Sequence, residues 1–381
     1  MKNVIIILLS ILVVFLLLFS IGAFRHNDIM ARDEYSNLRR KRVAEVSRAQ
    51  EWNIGIAASV SDPVDKQVIH GIRIATEIVN QEGGVLGREI RLLLEDSRNS
   101  FSEHKFLVQD FCEDFSTAML IGAFSTQSVK SSRSLTQFHG LPLLSPTAAA
   151  PERLPELTPE LFLPVHPPLS FWTVPIIQEL QKRKCRRVLI IAQENSWYGG
   201  VFASHLENAM EETHAFTDIF RNSFSPPAEL QTFHQLLSIF QENRIFDAIV
   251  FSGGMEELAK LGQVMTSLNI TLPVFCTEFS DNVNRKRVKL QFPAGLYIPK
   301  VSGMIADSPR FEQEWRRRFG SDPGIWEQYG ALCIFFFARA LETCGRYEPE
   351  ELVYAMREEW RILMDRQAYS LQVLLENRNG K

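Results

Sequence analysis

The stretch from Ile54 to Asp96 limits the possible folds more than any other part of the chain. It reads as strand, helix, Gly-Gly turn, strand. Asn53-Ile54-Gly55-Ile56-Ala57-Ala58 is a short apolar run suited to a buried strand. Over residues 66–81, Val68, Ile69, Ile72, Ala75, Ile78 and Val79 recur at helical spacing. Gly83-Gly84 then stops the helix, because glycine enters the left-handed conformation without steric cost. Glu89 to Glu95 follows as the next strand. A strand, a crossover helix and a second strand predict a parallel pair, and parallel sheets carry helices on both faces.

The alternation continues along the chain. A helix near 102–115, a strand at Ala118 to Ile121, a helix near 127–138 and a strand at Leu141 to Ser145 complete one α/β lobe. From Pro142 to Pro168 prolines recur every few residues. They do not suit helix interiors or central strands, so a chain crossing between lobes is expected there. A second series then begins: helix 170–183, strand Arg187–Ala192, helix 199–213, helix 227–242, strand Ala248–Phe251, helix 255–268 and strand Leu272–Phe275. A strand at Ala294–Ile298 precedes helices 308–319 and 325–344, expected to return to the first lobe, and a last strand is expected at Ser370–Leu375. The fold class expected is α/β, with two doubly wound parallel-sheet lobes joined by a multi-crossing hinge. Residues 52–165 with about 300–345 form lobe 1, and 166–299 with about 346–381 form lobe 2 or the hinge. Ligands in such sheets bind outside the carboxyl ends of the strands.

A different signal precedes this unit. Val4 to Phe24 holds no charged residue, and 21 such residues can span a bilayer as a helix. A cleavable signal is the competing reading, with Lys2 as its basic start and Ser20-Ile21-Gly22-Ala23 offering small residues. Residues 1–25 are therefore expected to be a transmembrane anchor or a signal, and 26–51 a polar stalk or linker. No cysteine lies near the end of the run, which excludes lipid attachment there. Arg25, Arg32, Arg39, Arg40, Lys41 and Arg42 follow the run, and taken alone they would place the large domain in the cytoplasm. Long domains translocate despite such flanks, and the family resemblance below points outward.

The net charge of −4 argues against a nucleic-acid partner, which needs a concentrated basic face. Cys112, Cys185, Cys276, Cys333 and Cys344 are widely spread, with no clustering of metal-ligand type. Cys333 and Cys344 would lie about 16 Å apart on one helix, too far to bridge. Most of these cysteines are expected to be small buried apolar residues.

The run His70 to Arg88, HGIRIATEIVNQEGGVLGR, resembles the first helix and turn of type I periplasmic solute-binding proteins. The subgroup is that of the branched-chain amino acid and amide binders of ABC importers. Asp96, Ile121-Gly122 through Ser125, Leu144-Ser145-Pro146-Thr147-Ala148-Ala149-Ala150-Pro151 and Trp197-Tyr198-Gly199 fit the same pattern, so the resemblance covers about 52–381. It implies capture of a small polar solute between two closing lobes. Ser125 and Thr126 match the position that meets the ligand carboxylate, just before a helix whose free N–H groups favour an anion. Capping of that helix is the plainer role for either residue. Tyr198 matches a ligand-lining aromatic, and Glu278 the acid that meets an ammonium group. Ser252, with Gly253 and Gly254, ends a strand where backbone can approach a ligand.

Three positions depart from the family pattern. Ala149 stands where a threonine is usual, with Thr147 two residues earlier and Ala148 between them; Pro164 replaces an arginine, and Val64 an aromatic lid residue. The loss at Ala149 puts a standard α-amino acid carboxylate in doubt.

No nucleophile elbow, P-loop or H-E-x-x-H is present, and the eight histidines are scattered. No enzyme activity, metal or cofactor is expected. The leading expectation is an extracytoplasmic binder of an amino acid or amide-like solute that presents it to an ABC permease. The alternative is a membrane-anchored sensing ectodomain that regulates a signalling partner.

Overall fold

The computed structural model describes residues 33–122, 124, 126–149, 160–194, 197–225, 227–241, 246–276, 292–297 and 308–370. These residues build an α/β fold with two parallel five-stranded sheets. The first sheet has the order β2-β1-β3-β4-β5, from strands β1 (Trp52–Ala58), β2 (Ile90–Asp96), β3 (Thr117–Ile121), β4 (Leu143–Ala149) and β5 (Phe162–His166). The second runs β10-β9-β8-β6-β7, from β6 (Arg187–Gln193), β7 (Asp218–Phe224), β8 (Ala248–Ser252), β9 (Val274–Cys276) and β10 (Leu296–Tyr297). Both sheets reverse their winding beside the first strand of the set, between β1 and β3 and between β6 and β8. Such a reversal opens a crevice at the carboxyl ends of the strands.

Helix α2 (Pro63–Gln81) begins three residues before the start expected from periodicity. Asp62 caps it by accepting from the backbone N–H of Val64 and Asp65, and Pro63 occupies the first helical turn. Its end is as the sequence implies, with Gly83 and Gly84 at φ of 103° and 72°. Helix α10 (Ile325–Cys344) lies against α2 in the most extensive helix–helix contact of the described residues. Two glycines permit that approach. A Cβ on Gly71 would stand 1.9 Å from the Glu327 carbonyl oxygen, and one on Gly330 would stand 2.1 Å from that of Val68. A single buried cluster runs from Ile54 and Ile56 through Ile72 and Phe337 to Val188 and Ile190 of the second sheet. A second cluster, with Phe224, Phe233 and Phe251 packed ring on ring, fills the other face of the second sheet.

Several expectations need correction. The proline-rich passage does enter the sheet. Pro146 sits in β4 where the β4–β5 register shifts between Ser145 and Ala149, so its missing N–H interrupts no regular pairing. Pro164 lies in β5 opposite Ser145, on an edge strand whose outer carbonyls are taken by a side chain: Arg357 donates to the oxygens of Glu160 and Phe162. Strand β7 has no counterpart in the sequence reading. Ser370 ends helix α11 (Pro349–Ser370) instead of opening a strand, and 371–375 fall outside the described residues. Helix α11 packs on α10 and β5 of the first sheet, where Trp360 Nε1 donates to the Val165 oxygen at 3.1 Å.

The segment expected to be a stalk contains helix α1, described over 33–48, and it is built into the first sheet's unit. Arg42 is fully buried, and its guanidinium donates to the carbonyls of Cys112, Asp114, Thr117 and His139 at 2.5–3.0 Å. Arg39 pairs with Glu348 and Glu350, and Arg88 donates to the carbonyls of Val46 and Glu51. Among the described residues no helix is long and apolar enough to cross a membrane, and Val4 to Phe24 lies outside them.

Candidate functional site

A cavity of about 400 Å³ opens at the carboxyl ends of the first sheet's strands, at the winding reversal. Its walls come from three β–α connections, from strand β4 and from helix α10. Ala57, Ala58 and Ser59 lead from β1 to Asp62, Val64 and Asp65 at the start of α2. Ser97, Asn99 and Ser100 lead from β2 to Phe101 and His104 of helix α3 (Phe101–Glu113). Phe124 and Ser128 border the start of helix α4 (Thr126–Phe138), Thr147 comes from β4, and Trp326 reaches in from α10. The volume is within the range of small-molecule sites.

The loops around it are tied to one another. Asp96 Oδ1 accepts from Val60 N at 3.1 Å and Arg98 N at 2.9 Å, joining the β1–α2 and β2–α3 connections. Those backbone donors, Arg98 first, hold the Asp96 carboxyl below the usual carboxylate range. Arg98 and Asn99 both adopt left-handed backbone, at φ of 51° and 56°, a strained pair of the kind that collects at ligand sites. Thr147 Oγ1 donates to the Phe124 oxygen at 2.8 Å and fixes β4 to the turn after β3.

The titratable groups on the cavity are Asp62, Asp65 and His104. Asp65 is 8 % exposed, and its Oδ2 accepts from Ser59 N at 2.8 Å. Burial pushes its carboxyl up to about 7; the Ser59 hydrogen bond opposes that shift and the nearby Asp62 charge adds to it. His104 is buried against Ser132, its Nε2 lying 3.2 Å from the hydroxyl, and burial lowers its pKa. The imidazole is therefore neutral around pH 7.

Of the residues singled out from sequence, Thr147 lines this cavity. Thr126 opens α4 beside it, and Ala148 and Ala149 continue β4, with the Ala149 backbone paired to His166. The side chains of these three, and of Tyr198, lie outside what is described. Tyr198 belongs to a π-helical turn, Trp197–Val201, that leads into helix α6 (Phe202–Glu212). Ser252 ends β8 in the second sheet, 1 % exposed and away from the cavity walls. Ser125 and Glu278 fall outside the described residues. Asp65, His104, Ser100 and Trp326 were not singled out. Val64, noted as a departure from the family pattern, was the one signal pointing at this loop.

No group of three or more potential metal ligands occurs among the described residues. The five cysteines are free, and all but Cys344 are buried.

Solved structures share this architecture. A leucine-binding protein LivK from Thermotoga maritima superposes with a TM-score of 0.66 at 16 % identity, covering 80 % of this chain and 87 % of that one. An ABC transporter substrate-binding protein from Desulfitobacterium hafniense in complex with Leu gives 0.65 at 19 % identity, covering 81 % and 89 %. A solute-binding protein from R. palustris in complex with benzoate gives 0.64 at 14 % identity, covering 80 % and 85 %. At such identities these likenesses concern the fold alone. No curated protein matches the sequence. The family model described as periplasmic binding protein matches residues 53–359, most of the chain and all ten strands except the first residue of β1. The chain belongs to the periplasmic binding protein family.

Proposed function

We propose that this protein captures a small polar solute on the extracytoplasmic side of a membrane and hands it to an ABC importer. The observation that carries this reading is the cavity of about 400 Å³, lined by both polar and apolar side chains, at the carboxyl ends of β1–β4, where the strand order reverses. In this reading residues 52–165 with about 300–345, together with helices α1 and α11 that pack on the first sheet's unit, form one lobe, and the second sheet belongs to a lobe that closes on it across a multi-crossing hinge. Ser125, Thr126, Thr147, Ala148 and Ala149 contribute the first wall. Tyr198, Ser252 and Glu278 contribute the second. Val4 to Phe24 acts as membrane anchor or export signal. Structural neighbours are named as proteins for leucine, isoleucine, benzoate and fatty acids, which supports a small organic solute and leaves its class open.

Calorimetry on the full chain in detergent, against leucine, isoleucine, benzoate, octanoate and the basic amino acids, tests the reading. Saturable binding of one of them at micromolar concentration is expected. Silence across the whole set refutes it.

One observation favours the sensing alternative. Helix α1 follows the apolar run and is fixed to the first sheet through Arg42, whereas a carrier needs only a loose tether. An anchor held this way transmits lobe movement to the membrane. Affinity capture of the full chain from its membrane separates the two: permease subunits mean import, and a kinase or cyclase means sensing.

A further inference from the structure

Asp65 is a carboxylate that the fold leaves partly unused. It stands in the first turn of α2, 8 % exposed, on the wall of the cavity. Its Oδ2 accepts from Ser59 N, and among the described residues nothing donates to its Oδ1. Asp62, beside it, is already committed, because its Oδ1 holds the N–H groups of Val64 and Asp65. That cap closes the start of α2 to an incoming anion. Ser100 does the same at α3, where its hydroxyl accepts from Glu103 N. The cavity walls include no lysine or arginine among the described residues, and His104 is neutral and engaged with Ser132. The β1–α2 side of the cavity therefore offers a carboxylate with open lone pairs and no compensating positive charge.

Building on the solute-binding reading above, we propose that the ligand carries a side-chain ammonium or guanidinium group, beyond any α-amino group, which enters beside the β1–α2 loop and donates to Asp65 Oδ1. The bond would be charge-assisted, formed at a site largely removed from water, and such bonds are about twice as strong as neutral ones. Once Asp65 is ionised, a ligand carboxylate in the same place would face a second carboxylate with no donor between them, whereas a bound cation favours that ionised form.

The test is calorimetry on the full chain in detergent with ligand pairs matched in length: arginine against citrulline and lysine against norleucine, with leucine and benzoate as further arms. The cationic member of a pair is expected to bind at least tenfold more tightly. Asp65→Asn should remove that preference, lowering arginine and lysine affinity at least tenfold while citrulline and norleucine change less than twofold, and Asp65→Glu should restore part of it. Equal loss for both members of a pair assigns Asp65 to loop packing only and overturns the proposal. Binding of leucine or benzoate with none for arginine or lysine overturns it too, while leaving solute capture intact. Silence in every arm overturns both.

Discussion

Arg42 offers the sharpest test of how the first sheet's unit is assembled. It is fully buried, and no carboxylate pairs with it among the described residues; its guanidinium serves four backbone carbonyls instead. Arg42→Met keeps an unbranched apolar stem and removes all five donors. Each carbonyl left buried without a partner costs about 1–3 kcal/mol. Summed over four, that would approach 8 kcal/mol, and two effects reduce it. Methionine relieves the desolvation of a buried charge, several kcal/mol in real proteins, and carbonyls near the surface recover some water. The net loss expected is about 3–5 kcal/mol. Arg39→Met is the control: its pairs with Glu348 and Glu350 lie on side chains 34 %, 27 % and 25 % exposed, and loss under about 1 kcal/mol is expected. Urea unfolding of both variants, with hydrogen exchange read at the β3 amides, separates this unit from the second sheet. An Arg42→Met loss below about 1 kcal/mol, with unchanged exchange in β3, would refute the reasoning.

Gly71→Ala and Gly330→Ala should each cost several kcal/mol, because the new methyl meets backbone oxygen at 1.9 or 2.1 Å and the α2–α10 pair must separate; thermal unfolding of the two variants checks this. Asp65 holds its proton in the folded state up to about pH 7 and releases it near 3.8 when unfolded, so its contribution to stability is fully present below about pH 4 and is lost as pH rises through 7. Relative to Asp65→Asn, the protein should lose up to about 1.4 kcal/mol per pH unit across that window, measured by urea midpoints at several pH values. Among the thiols, Cys344 is the one only partly buried, and iodoacetamide should label it well before Cys112 or Cys333 under native conditions.

The first half of the fold was legible because its signals are local. The periodic face of α2, the Gly83-Gly84 stop and the apolar strands each follow from a short window. Strand β7 was not, since it is an edge strand whose residues alternate between exposed and partly exposed and so present no apolar run. The docking of α1 was also illegible, because arginines in a polar stretch ordinarily stay in water and only the fold brings four carbonyls to Arg42. Asp65 and His104 were missed for the same reason. The cavity is made by loops far apart in the chain, and neither residue matches the family positions that directed attention to Ser125, Tyr198 and Glu278.

The packing of α2 against α10 has a consequence for the order in which the protein can form during synthesis and export. Residues of α10 follow α2 by more than 240 positions, and α1 is locked to Glu348 and Glu350 at separations above 300. The first sheet, although made first, must wait with the apolar face of α2 uncovered until nearly the whole chain has emerged. The second sheet draws its strands from 187–297 alone and can close earlier. The first unit is thus both the earliest exposed to a holding chaperone and the last to be released from one.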